Sequence, residues 1–136
     1  MESCPAARLP GATEWRMQRI IVADTSDVVR KVAKRILTEL GFLVVEAGDA
    51  QEAIASCQPI LPEFMIIDAG IESCLEVIAA IRAMPNGQSV RIYYCVIEAD
   101  LKKLMAGKRA GATDFLQKPF DRRILTNVFG SQATTV

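Results

Sequence analysis

Residues 19–42 read RIIVADTSDVVRKVAKRILTELGF, a run whose period changes from strand to helix. After Arg19 it opens on an apolar run, Ile20 to Ala23, with no polar alternation. Such a run fits a strand covered on both faces. The period then becomes helical. Val28, Val32, Ile36 and Leu40 form one row, and Val29, Ala33 and Leu37 the next. Arg30, Lys31, Lys34 and Arg35 take the opposite face. Ser26 or Asp27 can cap the start, and Gly41 follows the end.

The same alternation continues outward. Strand-length apolar runs recur at residues 43–47, 64–67, 91–97 and 114–117. Helical patterns lie between them, at about residues 49–58, 73–84, 99–110 and 121–129. Pro59 and Pro62, Pro85-Asn86-Gly87, Gly111 and Pro119 punctuate them. Alternating strands and helices predict an α/β fold with a parallel sheet. At this size the expected form is a doubly wound, flavodoxin-like sheet of five strands in the order 2-1-3-4-5. Residues 17–129 form the expected domain, residues 1–16 a disordered extension and residues 130–136 a tail.

Composition narrows the function. The chain has 136 residues, room for one domain. Lys plus Arg total 16 and Asp plus Glu total 16, so no chain-wide field for nucleic acid or an anionic membrane is expected. The longest apolar run, residues 92–97, is far short of the roughly 20 residues of a spanning helix. The N-terminus lacks the basic and apolar regions of a secretory signal, so a cytoplasmic location is expected. The chain contains no His, which excludes His-dependent triads and general acid–base chemistry. Cys4, Cys57, Cys74 and Cys95 have no metal-ligand spacing and read as free thiols.

In open parallel sheets, sites form beyond the C-terminal strand ends. Asp24, Asp68 and Lys118 fall there, after the first, third and fifth strands. Singly, each has a plain reading: a helix cap, a loop acid, a turn before Pro119. Together they suggest more. In the order 2-1-3-4-5 the two aspartates sit on neighbouring strands, and carboxylates that close repel unless a proton or cation intervenes. A hard divalent cation such as Mg²⁺ suits oxygen ligands, and Lys118 adds a compact charge for a phosphoryl group.

Three stretches carry a resemblance: residues 19–26 (RIIVADTS), 64–68 (FMIID) and, most specifically, 109–120 (RAGATDFLQKPF). Over residues 18–129 the chain resembles the receiver domain of bacterial two-component response regulators, particularly the stand-alone chemotaxis type. The resemblance implies that Asp68 accepts a phosphoryl group from phosphohistidine on a sensor histidine kinase or histidine phosphotransfer protein. It implies Mg²⁺ held by Asp24, Asp68 and the carbonyl of Gly70. It also implies that Lys118 pairs with the acylphosphate, with a bond to Pro119 that is often cis. Phosphoryl transfer needs just such positioning and positive charge.

Four positions depart from the family pattern. Ala23 replaces the first of two consecutive acids, a loss of the kind that weakens metal binding about 10–100-fold. Val96 stands where the family has a hydroxyl that bonds the phosphoryl oxygen, a bond worth about 1.5–3 kcal/mol. The loop after Asp68 is about two residues short of the family's usual length. Phe115 holds the aromatic switch position without a hydroxyl. A phosphorelay receiver is therefore weighed against a pseudo-receiver, an interaction module that works without phosphorylation. A small aspartate-dependent phosphohydrolase is a third reading, for which no substrate pocket is evident.

The basic face of the first helix reads as solvated, although the resemblance places phosphodonor docking on that helix. The family's output face comprises the fourth helix, fifth strand and fifth helix. Here the fourth and fifth helices carry Lys102, Lys103, Lys108, Arg109, Arg122 and Arg123. Output is expected to be protein–protein contact with an unidentified downstream target, with neither nucleic acid nor membrane as partner.

Overall fold

A computed structural model describes residues 17–98 and 100–130. The expected extension, residues 1–16, and all of the expected tail 130–136 except Gly130 lie outside the described residues. The elements are β1 (Arg19–Ala23), α1 (Asp27–Glu39), β2 (Leu43–Ala47), α2 (Ala50–Cys57) and β3 (Phe64–Asp68). They continue with α3 (Cys74–Ala83), β4 (Arg91–Val96), α4 (Leu101–Ala110), β5 (Asp114–Gln117) and α5 (Arg122–Phe129). All strand pairs are parallel and the order is β2-β1-β3-β4-β5, the expected doubly wound topology.

Alternation along each strand assigns the two faces. Ile21, Met65, Ile67 and Ile92 pack under α2 and α3. Ile20, Val22, Phe64 and Cys95 pack under α1 and α5. On that second side Phe42, Phe64, Tyr93 and Phe129 form a ring cluster, with Phe129 edge-on to the other three at 4.9–5.9 Å. Such pairs add to simple burial and seat α5 on the sheet.

Caps fix four helix starts. Ser26, Asp49, Asp100 and Asp121 each accept a backbone N–H from the first turn of α1, α2, α4 and α5. α3 differs. Its N-cap Ser73 lies at φ +67° and makes no side-chain cap bond. Five residues, 69–73, turn the chain from β3 into α3. A left-handed serine is the conformation that closes the turn.

Two expectations change. The first row of α1 is not inward along its length: Ala33, Ile36 and Leu37 are buried, but Val28 is 72% exposed. Hydrophobic period locates a face and does not say how far the sheet beneath it extends. β4 ends at Val96 and Ile97 is exposed, because the strand has passed the edge of the packed layer.

Candidate functional site

β1 and β3 lie side by side, with Ala23 in register with Ile67. The next residues, Asp24 and Asp68, therefore emerge together at the C-terminal edge. They are 4% and 9% exposed, and they are the buried charged side chains among the described residues. Lys118 arrives from the end of β5. Its backbone N–H donates to the Val96 carbonyl at 2.8 Å, which fixes where its side chain starts. Its Nζ donates to Asp24 Oδ2 and to Asp68 Oδ1, both at 2.9 Å. The peptide bond between Lys118 and Pro119 is cis.

Each aspartate has its other oxygen engaged. Asp24 Oδ1 accepts from the Ser26 N–H and Asp68 Oδ2 from the Gly70 N–H, both at 2.9 Å. Gly70 comes so close that a Cβ there would lie 2.8 Å from Asp68 Oδ2. Burial pulls the Lys118 ammonium down, but its bonds to Asp24 and Asp68 and their charge outweigh that and hold its pKa above the ordinary lysine value. One ammonium between two carboxylates leaves a net charge of about −1 in a partly desolvated cleft.

That surplus suits a hard cation. Asp24, Asp68 and the Gly70 carbonyl are all oxygen donors, and Mg²⁺ is commonly bound by one or two carboxylates with water completing the shell. The set is thin. Among the described residues no group of three His, Cys, Asp or Glu side chains is placed to hold a metal. Ala23 is buried and offers no oxygen from its side chain.

The switch candidates lie deeper. Val96 is buried on the α3 side of the sheet, and its side chain carries no hydroxyl. Phe115 is half-buried on β5, its ring edge-on to Tyr94 at 6.3 Å. Beside Lys118, an apolar groove of about 390 Å³ runs between Val28, Val29 and Val32 of α1 and Ile97, Pro119 and Phe120. The outward half of the α1 row thus lines this groove.

Sequence reasoning missed Arg30. It is no solvated cation. Nη1 donates to the Asp24 carbonyl at 2.7 Å, Nε to Glu46 at 3.1 Å and Nη2 to Asp27 at 2.7 Å. The available signal was Glu46, the lone acid inside the apolar run of β2. The cysteines behave as expected: Cys57, Cys74 and Cys95 are free and buried, and Cys4 lies outside the described residues. Among the described residues no helix is long and apolar enough to cross a membrane.

The family model of the response regulator receiver domain matches residues 20–129. The chain belongs to that family. This receiver is 35% identical over 114 residues to the transcriptional regulatory protein PrrA of Mycobacterium tuberculosis, an alignment covering 81% of the chain and 46% of PrrA. The chain thus spans about half the length of that curated relative. Among solved structures, chemotaxis response regulator CheY4 of Vibrio cholerae superposes with a TM-score of 0.79 at 26% identity, over 85% of this receiver and 98% of CheY4. The receiver domain of sensor histidine kinase PA1611 from Pseudomonas aeruginosa shares the fold, with a TM-score of 0.76 at 24% identity, over 89% of this chain and 100% of that one. That structure has a magnesium ion coordinated in its active site cleft. Receiver domains are signalling modules of two-component systems.

Proposed function

We propose that this receiver is a phosphorelay component in which Asp68 is the phosphoacceptor. The observation that carries the reading is the bridge from Lys118 Nζ to both buried aspartates at 2.9 Å. A carboxylate oxygen of Asp68 attacks the phosphorus of a phosphohistidine. The P–N bond breaks and its electron pair stays with the imidazole nitrogen. Lys118 stands where it can shift from the carboxylate to an oxygen of the arriving phosphoryl group, offsetting charge without moving its backbone. The Gly70 N–H orients Asp68 through Oδ2. Asp24, Asp68 and the Gly70 carbonyl would hold Mg²⁺, which supplies neutralising charge on the phosphoryl oxygens.

The phosphodonor, a histidine kinase or histidine phosphotransfer protein, docks on the apolar groove beside Lys118. Lys118, which bonds Asp68, lines the groove, so a donor helix seated there would lie beside the site. Output is contact with a downstream protein, the domain is residues 17–129, and the location is cytoplasmic. A pseudo-receiver acting without phosphate is the second reading, favoured by Val96 and Ala23, which remove a phosphate-sensing hydroxyl and an acid from the site.

Intact-protein mass after incubation with acetyl phosphate tests this, with and without Mg²⁺ and beside Asp68→Ala. A Mg²⁺-dependent phosphoryl adduct absent from the variant is expected. No adduct from acetyl phosphate or from a phosphohistidine donor overturns the phosphorelay reading in favour of the pseudo-receiver.

A further inference from the structure

α4 touches the sheet sparingly. Among its described residues only Gly107 is buried, while Leu101 is 70% and Met105 48% exposed. Beneath Gly107 lies Tyr94 of β4, itself 4% exposed. A Cβ built on Gly107 would lie 2.6 Å from Cδ2, 2.8 Å from Cε2 and 3.0 Å from Cγ of that ring. The helix backbone therefore rests directly on the ring. Glycine inside a helix is destabilising relative to alanine. Here it is what lets the α4 backbone come down onto the Tyr94 ring.

The ring also meets the switch position. Tyr94 is in register with Phe115 on β5, and their rings are edge-on at 6.3 Å. Val96 lies two residues further on the same face of β4. Tyr94 thus fills the space between β4, α4 and Phe115. An inward swing of Phe115, or a descent of α4, would have to enter that volume. Close-packed interiors resist such intrusion. Val96 in turn offers no hydroxyl to pull β4 toward a phosphoryl group.

We propose that Tyr94 is a fixed bearing for α4, holding the α4–β5 face in one conformation whatever the chemistry at Asp68. The regulatory half rests on Asp68 being the phosphoacceptor, and the packing half stands without it.

Two measurements on the full chain test the two halves separately. The first is a thermal double-mutant cycle. Gly107→Ala should lower the unfolding midpoint in the wild-type background and raise it beside Tyr94→Leu, where room for a methyl opens. Tyr94→Met replaces Tyr94→Leu if the latter does not fold. A Gly107→Ala change that stabilises the wild-type background overturns the bearing. The second is amide hydrogen exchange of residues 101–110 before and after acetyl phosphate, with the adduct checked by mass. Exchange should be unchanged in wild type and in Val96→Thr, which supplies a hydroxyl but keeps the ring, and should shift by about tenfold or more in Val96→Thr/Tyr94→Leu. A tenfold shift in wild type or in Val96→Thr, or none in the double variant, overturns the proposal. If no adduct forms, the phosphoacceptor reading has failed, and the cycle alone decides whether Tyr94 seats α4.

Discussion

The guanidinium of Arg30 donates to the backbone carbonyl of Asp24 at 2.7 Å. The same group bonds Glu46 of β2 and Asp27 of the first turn of α1. One side chain thus ties the loop that carries Asp24 to the helix after it and the strand beside it. Arg30→Ala should lower stability by about 1.5–3 kcal/mol, the range for hydrogen bonds to charged groups. Arg30→Lys should not restore it, since an ammonium lacks the planar fork that reaches three partners. Urea unfolding of the three proteins checks both statements.

Lys118 is the cation that both buried aspartates share. Removing it leaves two carboxylates in one cleft. Because the cleft opens to water on one side, Lys118→Ala should cost near the lower end of the roughly 3–5 kcal/mol for breaking a buried pair. Mg²⁺, held by Asp24 and Asp68 as proposed, should recover part of the loss by linkage. Unfolding midpoints in EDTA and in excess Mg²⁺ read this. A variant as stable as wild type in EDTA would show that the bridge contributes nothing.

Glu46 gives an acid-side signature. Its bond to Lys31 is the main cause that holds its carboxyl below the ordinary value of 4.5, against a penalty from burial and with help from Arg30, the Lys31 charge and Lys34. A group with a depressed folded pKa contributes stability above its unfolded pKa and loses it as pH falls through the folded one. Glu46→Gln should therefore be less stable than wild type at neutral pH. The gap should narrow below pH 4.5 and close once Glu46 is protonated in both states. Urea titrations at about pH 7 and about pH 3 measure the two ends.

The buried thiols should be inert in the native state. Burial pushes Cys57 up to about 11 and Cys74 up to about 12, and raises Cys95 further. The thiolate is the reactive form, so little is present at mildly alkaline pH. With Cys4 replaced by Ser, a disulfide reagent should label no thiol of the folded protein and all three after denaturation.

Much of the site was legible in the sequence because strand ends are legible. Asp24, Asp68 and Lys118 each close an apolar run, and a parallel sheet sends such residues to one edge. Arg30 and Glu46 were not legible as a pair. They are 16 residues apart on different elements, and a charged residue opposite an apolar row looks the same whether water or a carboxylate faces it. Val28 and Val32 were legible as apolar and misplaced as core, since their row runs past the sheet edge into the groove beside Pro119. Gly107 lies inside the helical pattern of residues 99–110, which carries no sign of what faces it. Its meaning came with Tyr94 beneath it.

Local pattern sufficed for the alternation of strand and helix, the parallel doubly wound sheet and the edge at which the charges gather. Each follows from local period and from the need to cover both faces of every inner strand. Which charges meet, how far α1 is buried and what α4 rests on are set by the packing of the whole domain. Those outcomes depend on distances of a few ångströms between elements remote in the chain. Strand order, helix crossing and side-chain volume set such distances jointly, and no local pattern encodes them.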